Sequence, residues 1–486
     1  MRRTSRLAVP AVLFLVACSS SQEATLTREQ LLDPQACAGC HQEQFNDWAG
    51  SMHAYSSKDP VFLAMNKRGQ RETNGALGKF CVNCHAPMAV REGLTTDGLN
   101  LDQVPQPLHG ITCYFCHSVE SVEGTHDNPL KLATDGVLRG SIANPSPKGR
   151  PHKSAYSALL DRDSPQSSTM CGACHDIVNG HGATIERTFS EWNGSAFALI
   201  SGTTCSQCHM AQSLVEKPIA QVDGLPLRRT HAHTFPGVDV ALTPFPDTQR
   251  QREQIQTLID TTLQSAICVQ DFAGSGQVSV VIDNVAAGHA FPSGAAQDRR
   301  AWVELIAFDA NNTVLFQSGV VPDGQAAVKS TDPNLWMLRD CMFDDTGKEA
   351  HMFWEAATIE SNLLPALTTF DVASPEFYKG HKQKFFPANG ATIGPPTPAR
   401  ITMRVRLEVV GYDVIDDLIA SGDLDPAVRN AFSTFVVGKP LEWTLATATR
   451  KYRDRVTNQD VLCASNTNIN IAADKFPAPL RTKCAP

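Results

Sequence analysis

Five times the chain writes Cys-x-x-Cys-His: CAGCH at Cys37, Cys40 and His41; CVNCH at Cys81, Cys84 and His85; CYFCH at Cys113, Cys116 and His117; CGACH at Cys171, Cys174 and His175; CSQCH at Cys205, Cys208 and His209. Two thiols one helical turn apart can each add to a vinyl group of a porphyrin, while the adjacent imidazole comes to rest under the iron. Zinc sites rarely place His directly after every second Cys, and thioredoxin-like redox pairs come singly on an α/β pattern. The motifs therefore read as five covalent haem c attachments. They use ten of the fifteen cysteines and make His41, His85, His117, His175 and His209 the proximal ligands.

Covalent haem requires export, and the start of the chain carries an export signal. Arg2, Arg3 and Arg6 precede an apolar run from Leu7 to Ala17, too short for a membrane span. Leu15-Val16-Ala17-Cys18 resembles a bacterial lipobox, which implies cleavage before Cys18 and acylation of that residue; Ser19 after it favours the outer membrane. In an oxidising compartment Cys268, Cys341, Cys463 and Cys484 allow up to two disulfides with three possible pairings. A Cys463 to Cys484 bridge would tie down the C-terminal tail. The formal charge of −8 argues against a nucleic-acid partner and for a partner with a basic patch.

The elements that must hold the motifs divide the chain. The fold class expected is α+β: a loop-rich, helical multihaem domain followed by a β-sandwich. Residues 1–18 read as a lipoprotein signal peptide, 19–36 as a tether, 37–244 as the pentahaem domain, 245–270 as a linking helix and 271–486 as the sandwich. The first cysteines stand at intervals too irregular for a solenoid. Thr248 with Gln251 fits a capping box, and Ile255, Leu258, Ile259, Leu263, Ala266 and Ile267 recur at helical spacing. Farther on, Ile401, Met403, Val405, Leu407 and Val409 alternate with Thr402, Arg404, Arg406 and Glu408, the pattern of a strand with one face in solvent.

A second imidazole on an iron closes it to exogenous ligands, so the spare histidines decide the chemistry. Ten remain: His53, His109, His126, His152, His181, His231, His233, His289, His351 and His381. CAGCHQEQFNDWAGSMHA, GITCYFCH followed nine residues later by His126, and CGACH resemble the multihaem cytochrome c superfamily that includes the tetrahaem partner of hydroxylamine oxidoreductase, over about residues 37 to 210. The resemblance implies His53 on the third haem, opposite His117, and His126 on the first, opposite His41. In that relative the second haem is five-coordinate. Here His152 is the candidate to face His85, with His109 and then Met88 as alternatives. His231-Ala232-His233-Thr234-Phe235-Pro236-Gly237 resembles an HxFxG element of related lipoprotein cytochromes, which assigns His233, or else His231, to the fourth haem. Gly288-His289-Ala290-Phe291-Pro292-Ser293-Gly294 resembles a ligand loop of cytochromes with a C-terminal β-domain, which implies His289 on the haem of His209. His381, between Gly380 and Lys382, reads as a solvated basic loop.

The expectation is a pentahaem c-type cytochrome lipoprotein that carries electrons in the periplasm or at the outer membrane through mostly bis-His haems. Its partners would be cytochromes or a quinol-linked donor, with the membrane reached through the lipid anchor. Two alternatives stand beside it: an oxidoreductase acting on a small nitrogen or sulfur species at an open haem, and a protomer of an extracellular cytochrome filament.

Overall fold

The computed structural model describes residues 25–145, 151–454, 457–465 and 484. The signal segment and Cys18 lie outside them. Among the described residues no helix is long and apolar enough to cross a membrane.

The first part of the chain is built from short helices. Part of the expected tether is helical: Arg28–Leu32 starts at Thr27, whose hydroxyl and Gln30 form a capping box, and Pro34–Ala38 starts on an Asp33 cap. Most motifs are themselves one helical turn or the end of a helix: Val82–His85, Cys113–His117, Gln166–His175 and Cys205–His209. Thr112 and Thr204 cap two of these turns immediately before the first cysteine, accepting from the backbone N–H of Phe115 and Gln207. The 3.6-residue repeat then brings the two thiols of a motif to one side.

The expected linking helix stops early. It spans Thr248–Ile259 without a capping box, because Gln251 instead accepts the backbone N–H of Ala241 and Asp247 at the cap is left-handed. Leu263, Ala266 and Ile267 belong to the strand Leu263–Asp271, whose run of buried residues reads equally as a fully covered strand. That strand is the centre of an antiparallel five-stranded sheet in the order His381–Phe386, Gly276–Asn284, Leu263–Asp271, Asp460–Ser465, Arg450–Arg453. A second sheet runs Val314–Ser318, Arg300–Phe308, Arg400–Glu408, Thr434–Thr444, with Trp336–Leu338 also paired to Arg300–Phe308. One apolar core takes Ile267, Val269, Val280 and Ile282 from the first sheet and Val303, Leu305, Met403 and Val405 from the second.

The strand Arg400–Glu408 shows the expected alternation from Arg400 to Arg404, but its polar face is covered beyond that point. Arg406 and Glu408 are buried; the Arg406 guanidinium lies 4.8 Å from the centre of the Trp302 ring and bonds Glu304, Asp323 and the carbonyl of Val321. His381 likewise is not a solvated loop. It is fully buried on the edge strand, in register with Asp283, whose carboxylate lies 3.0 Å away. The two bridges among Cys268, Cys341, Cys463 and Cys484 also differ from the expected Cys463 to Cys484 pairing. Cys463 sits directly opposite Cys268 on the neighbouring strand and bonds it, while Cys484 bonds Cys341.

The helical part and the sheets share interior. Val61 and Ala64 of the helix Pro60–Glu72 pack with Trp354, Val414, Ile415 and Leu418. A Cβ at Gly69 of this helix would lie 2.6 Å from the Leu77 side chain and 3.1 Å from the Trp354 ring, so glycine lets the ring approach without displacing either. Arg71 grips Asp423 through both nitrogens at 2.5 and 2.7 Å, and Arg187 reaches the buried Asp340 at 2.7 Å.

Candidate haem-binding cavity

All five motifs open into one continuous cavity of ≈ 3270 Å³. That is several times the volume of a site for one small ligand. Motifs meet across the cavity: the free thiols of Cys37 and Cys113, of Cys84 and Cys174, and of Cys171 and Cys205 lie within hydrogen-bonding reach of one another.

The proximal histidines are oriented alike. In each, Nδ1 faces an acceptor: Ile219 O at 2.9 Å for His41, Ser56 O at 3.2 Å for His85, Arg139 O at 2.6 Å for His117, Glu186 Oε1 at 3.1 Å for His175 and Pro236 O at 2.7 Å for His209. Donation from Nδ1 leaves Nε2 with its lone pair for a metal. Burial favours the neutral ring: it pushes His117 down to about 4 and lowers His85 and His209. His175 departs from this. Burial opposes its charged form, yet the hydrogen bond and charge of Glu186 lift it to about 9.

Three further imidazoles stand across the cavity from proximal ones. His41 and His152 have ring centres 6.3 Å apart, His53 and His175 6.5 Å, and His117 and His233 6.5 Å. An imidazole nitrogen lies about 2.0 Å from a bound metal, and the ring centre about 1.1 Å behind it, so two rings on opposite sides of one iron are roughly 6.2 Å apart. The donor set thus fits haem iron. Burial and neighbouring histidines push His53 down to about 3, and burial, with His209 and His175 nearby, pushes His289 down to about 4. His209 and His289 line the same cavity.

These partners differ from the sequence expectations. His53 faces His175, not His117: Gly110, at φ +70°, folds against its carbonyl, and Ile111 N–H bonds that carbonyl at 2.9 Å. His126 is turned outward against Asp127 at 2.9 Å, because the following Asp127 and Asn128 are tied by backbone bonds to Asp176 and Ala173. His152, not His126, stands at His41. It directly precedes the strand Lys153–Tyr156, which pairs in parallel with Val137–Gly140, the strand that also supplies the Arg139 carbonyl to His117. His233 faces His117 rather than His175. His85 consequently has none of its expected partners: His152 is elsewhere, His109 engages Ser57 and Val104 O through its two ring nitrogens, and Met88 is fully buried in an apolar cluster. What His85 does contact is Phe62, stacked parallel at 4.1 Å. Sequence reasoning missed Glu186, which sits eleven residues beyond its partner in a short ribbon that no motif marks.

The family model for cytochrome c554 and c-prime matches residues 36–118. A penta-heme cytochrome c552 from Thermochromatium tepidum is similar in structure, with a TM-score of 0.58 over 84% of this chain and 98% of that one, at 19% sequence identity. That likeness shows a shared fold. No curated protein matches the sequence. The family match over residues 36–118 and the five CxxCH motifs point alike to covalent binding of haem c.

Proposed function

We propose that this chain is a pentahaem c-type cytochrome that relays electrons between redox proteins, exported and anchored by acylated Cys18 at the outer membrane. Cys37/Cys40, Cys81/Cys84, Cys113/Cys116, Cys171/Cys174 and Cys205/Cys208 each carry one haem c. His41 pairs with His152, His175 with His53, His117 with His233 and His209 with His289. The two large sheets form a sandwich that closes one side of the haem cavity. Haem iron supplies one-electron chemistry. The chain's part is to fix neutral imidazoles, exclude water and keep the motifs in contact. The observation that carries this reading is the cavity itself: five attachment motifs line one space, with facing imidazoles at the separation one iron requires. Mass spectrometry of the mature protein tests it. Five added haems and a lipid on Cys18 are expected; an intact unmodified CxxCH peptide contradicts the count.

A second reading has one observation in its favour. Since the candidate partners of His85 are engaged elsewhere, its haem would be open to a small ligand, and reduction or oxidation of a nitrogen or sulfur species could occur there. Binding of carbon monoxide, nitrite or hydroxylamine at one haem of five would favour this activity; no binding would exclude it.

A further inference from the structure

Two stretches far apart in the chain repeat one another. Phe45-Asn46-Asp47-Trp48-Ala49-Gly50-Ser51-Met52-His53-Ala54 parallels Phe189-Ser190-Glu191-Trp192-Asn193-Gly194-Ser195-Ala196-Phe197-Ala198. Each follows one CxxCH motif and precedes another opened by Gly-x-Thr-Cys, Gly110 to Cys113 with the Cys81 motif intervening and Gly202 to Cys205 directly, with both glycines left-handed at φ +70° and +65°. The bonds repeat as well. Trp48 Nε1 donates to Ile111 O at 2.7 Å and Trp192 Nε1 to Thr203 O at 2.9 Å, in both cases the residue two before the first cysteine. Ser51 and Ser195 are fully buried, and each hydroxyl accepts the N–H three residues on, at 3.4 Å. The first cysteines of each copy's two motifs touch, Cys37 with Cys113 and Cys171 with Cys205. Chance similarity over ten residues would not reproduce these contacts.

The acidic residue of each copy does the same thing. Asp47, buried and paired with Arg250 at 2.6 Å, accepts the backbone N–H of His233 at 3.1 Å. Glu191 accepts the backbone N–H of Ala290 at 3.2 Å and the hydroxyl of Ser293 at 2.8 Å, and Thr188 one turn earlier accepts Gly294 N–H at 3.0 Å. Each carboxylate therefore grips the loop carrying a histidine that lines the cavity. We propose that Asp47 and Glu191 are equivalent positioning residues, which hold His233 over the His117 haem and His289 over the His209 haem. This rests on the axial pairing given above. Neither carboxylate touches iron; each fixes a loop whose freedom would otherwise let the imidazole leave.

The test follows cyanide binding to the ferric full-length mature protein, since cyanide enters a six-coordinate haem only as fast as the distal imidazole departs. Glu191→Ala should raise that rate at the His209 haem about tenfold or more, whereas Glu191→Gln, which keeps an acceptor oxygen, should change it about threefold or less. Asp47→Ala should do the same at the His117 haem. Ser293→Ala removes one donor from the other side, with a smaller rise of the same sign, and serves where the alanine variant does not mature. His289→Ala is the control. If it creates a new high-spin haem while Glu191→Ala and Ser293→Ala leave the cyanide rate unchanged, the positioning role is wrong and the ligand assignment stands. If His289→Ala creates no high-spin haem, the ligand assignment fails and takes the positioning role with it.

Discussion

Around the five motifs the side chains face a cavity of ≈ 3270 Å³, whereas between the large sheets Ile267, Val280, Val303, Leu305 and Met403 face one another. The helical part packs some of its apolar residues, Val82, Met88 and Val119 among them, into a cluster of its own and turns others toward the cavity. Its helices are short, its ribbons are two-stranded, and its motif histidines line the cavity, where burial favours the neutral ring of His53 and His117 and Glu186 the charged ring of His175. Side chains alone close the sheet core, so that part carries its own folding energy; the helical part needs the macrocycles to complete its interior. The seam between them is not a loose linker. Apolar residues from both sides share clusters, and buried charges cross it at Arg187 and Asp340.

Depriving the chain of haem should separate the two regions most sharply. Protein made without haem attachment should lose amide protection across residues 37–244 and keep it in the strands Gly276–Asn284 and Arg300–Phe308, read by hydrogen exchange. Equal loss in both would mean that the sheets depend on the haem region for their fold. A smaller effect of opposite location comes from Leu305→Ala, which removes a fully buried side chain from the sheet core. It should cost about 2–5 kcal/mol of stability while leaving the haem spectrum unchanged. A shifted spectrum would show that the core and the cavity are coupled more tightly than their separate clusters suggest.

The smallest expected effect concerns the seam. Hydrogen bonds and charge from Arg71 hold the Asp423 carboxyl down at about 2, below its ordinary 3.8. A depressed carboxyl stabilises above its unfolded value and loses that contribution as pH falls through its folded one. Contacts between the helix Pro60–Glu72 and the Asp423 turn should therefore weaken as pH drops from about 4 to about 2, seen as faster proteolysis there; Asp423→Asn should abolish the pH dependence.

Attachment chemistry was legible because it is local: CxxCH fits within one helical turn, whereas the acceptors that fix each Nδ1, such as Ile219 O for His41, come from elsewhere in the chain. Axial pairing was not, because each pair joins residues brought together only by long-range folding. His53 is carried to His175 by a helix, and His152 to His41 by a parallel strand pair. Helix and strand were confused at Leu263 to Ile267 for a related reason, since a continuous apolar run has no period to read. The repeat from Phe45 and Phe189 was present in the sequence throughout. It was hidden because the two copies stand at unequal distances from their cysteines, and because His53 of the first is replaced by Phe197 in the second. Phe197 lies beside Gly288, under the loop that brings in His289. One copy thus contributes an imidazole and the other an aromatic bed for one.

The spin state of the iron tests the imidazole pairs most directly. Quantitative electron paramagnetic resonance of the ferric mature protein, normalised to total haem, should give four low-spin centres and one high-spin centre, with the high-spin one lost when Cys81 and Cys84 are replaced by serine. Five low-spin centres would contradict the open His85 position, and two or more high-spin centres would contradict the imidazole pairs on which the rest depends.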